Sequence, residues 1–142
     1  VAAFGKLDKL TSLSFSNGPL EDDSLVGLTG LKKLEILGVG NTSVTGTGLR
    51  HLVGLPKLTT LSVGAGKFEA KNLALIATLK HVTTLNLRGG SFKNEGDEMV
   101  RQLAALKDQI KELSIEEAVH ISEEQITAIK QAMPKTAVTV KK

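Results

Sequence analysis

Apolar residues return along this chain at a fixed step. Leu13, Leu37, Leu61 and Leu85 are each 24 apart, and the same step joins Leu10, Leu34, Leu58 and Val82, and Phe15, Val39, Val63 and Leu87. It also joins Leu20, Val44, Phe68 and Phe92, then Val1, Leu25, Leu49 and Leu73, then Phe4, Leu28, Leu52 and Ile76, then Leu7, Leu31, Leu55 and Leu79. Columns that hold one period across four units mark an internal repeat. The fifth unit is longer: the step from Val82, Leu85 and Leu87 to Ile110, Leu113 and Ile115 exceeds the others by four, and the extra residues fall between Lys93 and Gln109. A half-unit ends the pattern, with Val138 and Val140 following Leu113 and Ile115 at a step one longer than the first.

Two spacings alternate within a unit. Leu34, Leu37 and Val39 end in a step of two, which is strand-like. Leu49, Leu52 and Leu55 step by three, which is one face of a helix or tight helical turn. Turn residues separate them: Asn17-Gly18-Pro19, Gly40-Asn41-Thr42, Gly64-Ala65-Gly66 and Gly89-Gly90. A unit of strand, turn, helix and turn cannot bury its apolar face alone, but stacked units can. The pattern predicts parallel strands near 12–15, 36–39, 60–63, 84–87 and 112–115, and a sixth at Val138 to Val140. It also predicts that the longest helix is the fourth, within Glu95 to Lys107, where the insertion falls.

The stretch from Leu34 to Leu58, LEILGVGNTSVTGTGLRHLVGLPKL, resembles a leucine-rich repeat, in the ribonuclease-inhibitor-like or cysteine-containing-like form found in bacterial proteins. The resemblance covers essentially the whole chain, and ISEEQITAIKQAMPKTAVTV, from Ile121 to Val140, resembles the way such arrays end. It implies an α/β fold, a right-handed solenoid bent into a horseshoe arc, with parallel strands on the concave side and helices on the convex side. The span 1–142 then forms one domain of about five repeats, at the steps given above, plus a terminal half-repeat. It further implies protein–protein recognition through the concave face. The sequence departs from the family at the strand exit, where Asn, Cys or Thr usually bonds the backbone. That column reads Gly18, Thr42, Gly66, Gly90 and Ala118, so only Thr42 can fill the role. Val1, Phe4 and Leu7 occupy helix-side columns, so the chain is expected to start inside a repeat, as a fragment or mature product of a longer protein. Lys135 takes a Leu column, and Lys141 and Lys142 place on the last strand the charge that discourages edge pairing.

Composition narrows the functional classes. The 142 residues include no cysteine, which excludes a disulfide scaffold, a thiolate nucleophile and a thiolate zinc site, and suits an oxidising or a reducing compartment equally. Leucine is unusually frequent, while the four Phe all lie on apolar columns and leave no aromatic to stack a base. A net charge of +3 is too mild to imply nucleic acid, and the longest apolar run, Leu73 to Ala77, is far short of the ~20 residues of a membrane span. A monomer with a protein partner, no nucleic acid and no membrane is expected.

Catalytic and cofactor motifs fail on inspection. Gly64-Ala65-Gly66-Lys67 lacks the upstream Gly of a phosphate loop and has Phe68 where Ser or Thr is needed. His51 lies on a helix flank, and His120 lies near Glu116, Glu117 and Glu123 without a spacing that converges them on a metal. The Asn41-Thr42-Ser43 sequon falls in a repeat turn. No catalytic residue, metal or cofactor is expected. Ser122 with Gln125 reads as a capping box.

Acidic residues cluster where helices should begin: Glu21, Asp22 and Asp23; Glu69; Glu95 and Asp97; Glu123 and Glu124. Lys9, Lys33, Lys57 and His81 form a column before the strands, which reads as complementing helix dipoles or as a basic rim for an acidic partner. The outward strand columns are Ser12, Ile36, Thr60, Thr84, Glu112; then Ser14, Gly38, Ser62, Asn86, Ser114, Thr139; then Ser16, Gly40, Gly64, Arg88, Glu116, Lys141. The candidate binding residues are Asn86, Arg88, Glu112, Ser114, Glu116 and Lys141, with Arg88, Glu116 and Lys141 expected to form a plus–minus–plus ladder, and with Gly and Ser columns beside them open to a close-approaching partner backbone. The alternative is a structural spacer with no specific ligand.

Overall fold

A computed structural model describes residues 4, 6–64, 66–89, 92–116 and 120–141. Six strands, β1 (Ser12–Gly18), β2 (Ile36–Thr42), β3 (Thr60–Gly64), β4 (Thr84–Arg88), β5 (Glu112–Glu116) and β6 (Ala137–Lys141), form one sheet in sequence order. Every neighbouring pair is parallel, and the register follows the repeat step: Leu13 faces Leu37, Leu37 faces Leu61, Leu61 faces Leu85, Leu85 faces Leu113, and Leu113 faces Val138. The first five strands start where the pattern places them, the sixth starts one residue earlier at Ala137, and β1 and β2 run on into the turn, to Gly18 and Thr42.

Among the described residues, the 3-10 helices Asp22–Leu28, Thr47–Leu52 and Ala70–Thr78 lie behind the sheet, followed by α1 (Gly96–Ala104) and α2 (Glu123–Ala132). A 3-10 helix has three residues per turn, so a step of three puts every apolar residue on one line. Leu25, Leu28, Leu31, Leu49, Leu52, Leu55, Leu73, Ile76 and Leu79 are accordingly all buried. In the lengthened unit, Met99, Leu103, Leu106 and Ile110 step by four, three and four, the α-helical spacing, and all four are buried.

The insertion does not make the longest helix. α1 has 9 residues, as many as the third 3-10 helix, and α2 has 10. The extra residues instead continue past Ala104 as turns over 105–109. Those turns carry Gln109 back to the preceding unit, where its amide Nε2 donates to the carbonyls of Ile76 and Leu79 at 2.9 Å and of Val82 at 3.1 Å. Gln109→Ala is expected to cost about 1 kcal/mol, because the Ile76 and Leu79 carbonyls keep only their turn partners and the Val82 carbonyl loses this donor. Urea unfolding checks it, and an unchanged midpoint would show the staple to be inert.

Several acidic residues act across units. One Asp22 oxygen accepts from Gly46 N at 3.1 Å and Gly48 N at 2.7 Å, and the other from Thr45 N at 3.0 Å and Thr45 Oγ1 at 2.8 Å. Asp22 thus serves the start of the next unit's helix. Glu95 reaches back to accept from Ala70 N at 2.7 Å, at the start of the third 3-10 helix. Among the described helices only α2 caps itself in the expected way: the Ser122 hydroxyl accepts from Gln125 N at 3.2 Å, and Gln125 Oε1 accepts from Ser122 N at 3.0 Å.

The core is a continuous Leu-rich slab between sheet and helices. Phe68 and Phe92 are buried in it, edge to face at 6.2 Å, while Phe4 and Phe15 pair at 5.7 Å but are only half-buried at the first unit. The Leu column opens at the same end: Leu7 is 48% exposed, where Leu31 and Leu55 are buried. No helix among the described residues is long and apolar enough to cross a membrane. Val1, Ala65, Gly90, Glu117, Ala118 and Lys142, which the sequence reading assigned to the repeat, its turns, the His120 group or the terminal strand, lie outside the described residues.

Candidate functional site

Strand alternation turns the Leu columns inward and leaves the polar columns on the open face. Thr42 plays the strand-exit part expected of it: its hydroxyl donates to Val39 O at 3.1 Å and accepts from Val44 N at 3.4 Å, and the side chain is buried. At two glycine positions close stacking decides. A Cβ on Gly64 or on Gly66 would collide with the backbone of Arg88 or of Thr42, respectively.

The expected charge ladder forms only in part. Arg88 Nη1 lies 3.8 Å from Glu116 Oε1, both side chains being about half exposed. The other Glu116 oxygen accepts from Gly89 N at 3.1 Å, which tilts the side chain toward β4. Among the described residues no ion pair joins Glu116 to Lys141, so the second rung is missing. Glu116 is therefore partly structural: its loss leaves the buried Gly89 N–H without that acceptor.

The six candidate binding residues divide. Asn86, Glu112, Ser114 and Lys141 line one cavity of about 240 Å³ over β4–β6, together with Thr84 and Thr139. Its floor is fixed on one side by Asn86, whose Nδ2 donates to Ser62 Oγ at 3.1 Å. Arg88 belongs instead to a second cavity of about 170 Å³ over β1 and β2, lined by Ser14, Ser16, Asn17, Gly40 and Asn41. From the edge of the second cavity at Gly38 to β3, the Gly and Ser columns are less open than their size suggests. Gly38, Ser62 and Gly64 are buried, because the Ser14 hydroxyl lies beside Gly38, Asn86 holds Ser62, and the Arg88 backbone closes over Gly64.

Sequence reasoning missed the second cavity. The signal was one period long: Asn17 and Asn41, one repeat step apart, both adopt positive φ (59° and 51°), a conformation Asn tolerates, and the Asn41 side-chain Nδ2 donates to the Asn17 side-chain Oδ1.

The basic column is exposed at Lys9, Lys33, Lys57 and His81. Lys33, Lys57 and His81 lie in turns beyond the ends of the 3-10 helices, whereas a helix dipole acts within the last turn. The dipole account therefore passes to Arg50, Arg101 and Lys130, which do lie in last turns. Among the described residues, no three His, Asp or Glu side chains gather around a potential metal position, and His120 is exposed.

No family model matches the chain. No curated protein matches it in sequence. In structure it is similar to an internalin (inlF) from Listeria monocytogenes, with a TM-score of 0.57 and 21% identity, over 99% of this chain and 44% of that one. The chain thus spans less than half the length of that internalin. The likeness shows the fold that the repeat implied: a leucine-rich α/β solenoid of parallel strands backed by short helices.

Proposed function

We propose that the chain is a protein-recognition module rather than an enzyme, and that it binds its partner on the open strand face. One observation carries this reading: Asn86, Glu112, Ser114 and Lys141, contributed by β4, β5 and β6, converge on one cavity. Both charge signs are present there, which suits oriented docking of a polar protein surface. Repeat solenoids use such extended faces for binding, and the internalin-like fold supports a protein-interaction module in general. We read 1–142 as one domain, because a single uninterrupted sheet runs through it. The ribonuclease-inhibitor-like or cysteine-containing-like form finds support only in the α-helices α1 and α2, since the earlier units carry 3-10 helices.

The test compares faces. A partner captured with the parent chain is purified and its affinity measured by titration. Glu112→Lys and Lys141→Glu should each weaken binding about tenfold or more while leaving the melting temperature nearly unchanged, because both side chains are exposed. Val53→Asp, on the helix side and 55% exposed, should leave affinity unchanged. The reverse pattern would move the interface to the helix side, and a chain that captures nothing would favour the spacer.

A further inference from the structure

The N-terminal half of the strand face differs in chemistry from the C-terminal half. Its outward columns on β1–β3 are Ser, Thr, Gly and a single Ile, with no acidic side chain. The charge it meets is Arg88, rooted on β4. Arg88 reaches back across β3, and its Cδ lies 3.5 Å from where a Cβ on Gly40 of β2 would sit. A Cβ at position 40 would just touch the Arg88 side chain, so the absence of a larger side chain there leaves that path clear. Among the described residues the guanidinium has one acidic partner, Glu116, at 3.8 Å and about half exposed, and Glu116 is already engaged with Gly89. An exposed pair this loose contributes little, so a better-placed carboxylate can compete for the guanidinium. Ser14, Ser16 and the two Asn side chains add hydroxyl and amide groups around the same cavity of about 170 Å³. The wider field agrees: residues 1–92 carry ten basic and six acidic side chains, and residues 93–142 carry eight and nine.

We propose that this cavity is a carboxylate subsite: it takes one Glu or Asp side chain of an extended partner segment, with Arg88 bonding the carboxylate and Ser14 and Ser16 bonding its surroundings. The proposal rests on the strand-face reading above and adds a second subsite with its own chemistry.

The probe is the blocked peptide Gly-Ser-Glu-Ser-Gly, titrated into the isotope-labelled chain and followed by NMR, with the Gln peptide as control. Expected are saturable shifts at Ser14, Ser16 and Gly40 and at the Arg88 side chain, with Kd on the order of 1 mM. The Gln peptide and the Arg88→Gln variant should each lower affinity by about tenfold or more, the loss of one charge-assisted bond, and added salt should weaken the Glu peptide. Equal binding of the Gln peptide, or full binding by a folded Arg88→Gln chain, overturns the proposal. Shifts confined to Ser114, Thr139 and Lys141 overturn it but leave the strand face as the binding surface. Shifts confined to the helix side overturn both. Silence up to about 10 mM peptide overturns the subsite alone, since the face is tested separately by Glu112→Lys and Lys141→Glu.

Discussion

Gly64→Ala should destabilise the chain by about 4 kcal/mol, a large part of the ~5–15 kcal/mol that holds a domain of this size together. Two terms add. Gly64 adopts a φ of 108°, where an L side chain is strained by ~1–3 kcal/mol. Its new Cβ would also collide with the Arg88 carbonyl and lie 3.1 Å from Arg88 N, which adds an overpacking cost of ~1–3 kcal/mol. These are backbone atoms of the paired strand, since Gly64 faces Arg88 in the β3–β4 register, so relief requires parting the sheet at its middle. Gly18→Ala is the control. It lies at the end of β1, with nothing within 4 Å of its prospective Cβ, and should change stability by less than about 0.5 kcal/mol. Urea midpoints compare the two variants with the parent; if they coincide, the close approach of β3 and β4 at Gly64 is not a real constraint. Gly64→Ala should also displace Arg88 from its path over Gly40 and weaken any ligand of the N-terminal cavity.

The sheet was legible because the repeat step is also the strand register. Leu37 lies one repeat step from both Leu13 and Leu61, and it pairs with both. The helices were legible only as elements. A step of three is shared by a 3-10 helix and by part of an α-helical face, and the insertion became turns because Gln109 gains three carbonyls there. The site was legible as a set of columns: which residues face outward follows from alternation. Which way they lean does not. Glu116 leans to Gly89 and Arg88 leans to Gly40, so a ladder drawn straight across the strands separates into two cavities. Both leanings depend on tertiary contacts that a column of residue types does not encode.

Asp22→Ala should cost about 2–3 kcal/mol at neutral pH. The carboxylate accepts four bonds from Thr45, Gly46 and Gly48, and both glycines are buried, so removal strands donors at the start of a helix that has no side-chain cap of its own. Gly48 belongs to the same joint: its Cβ would lie 2.5 Å from Asp22 O, so the two helices approach until backbone nearly touches backbone. Burial by itself raises the Asp22 pKa, but the bonds from Thr45, Gly48 and Gly46 together outweigh it and hold the carboxyl below its ordinary value. A carboxyl depressed in the folded state contributes stability above its unfolded pKa, and that contribution is lost as pH falls through the folded one. The parent should therefore lose this joint from about pH 4 downward, and the gap between parent and Asp22→Ala should narrow there. Glu98, also depressed through Gln102 and Arg101, titrates in both chains and cancels in the difference. Urea midpoints at pH 7 and near pH 3 measure the gap. A gap that stays constant with pH would mean that the ionised carboxylate is not what joins the first two units.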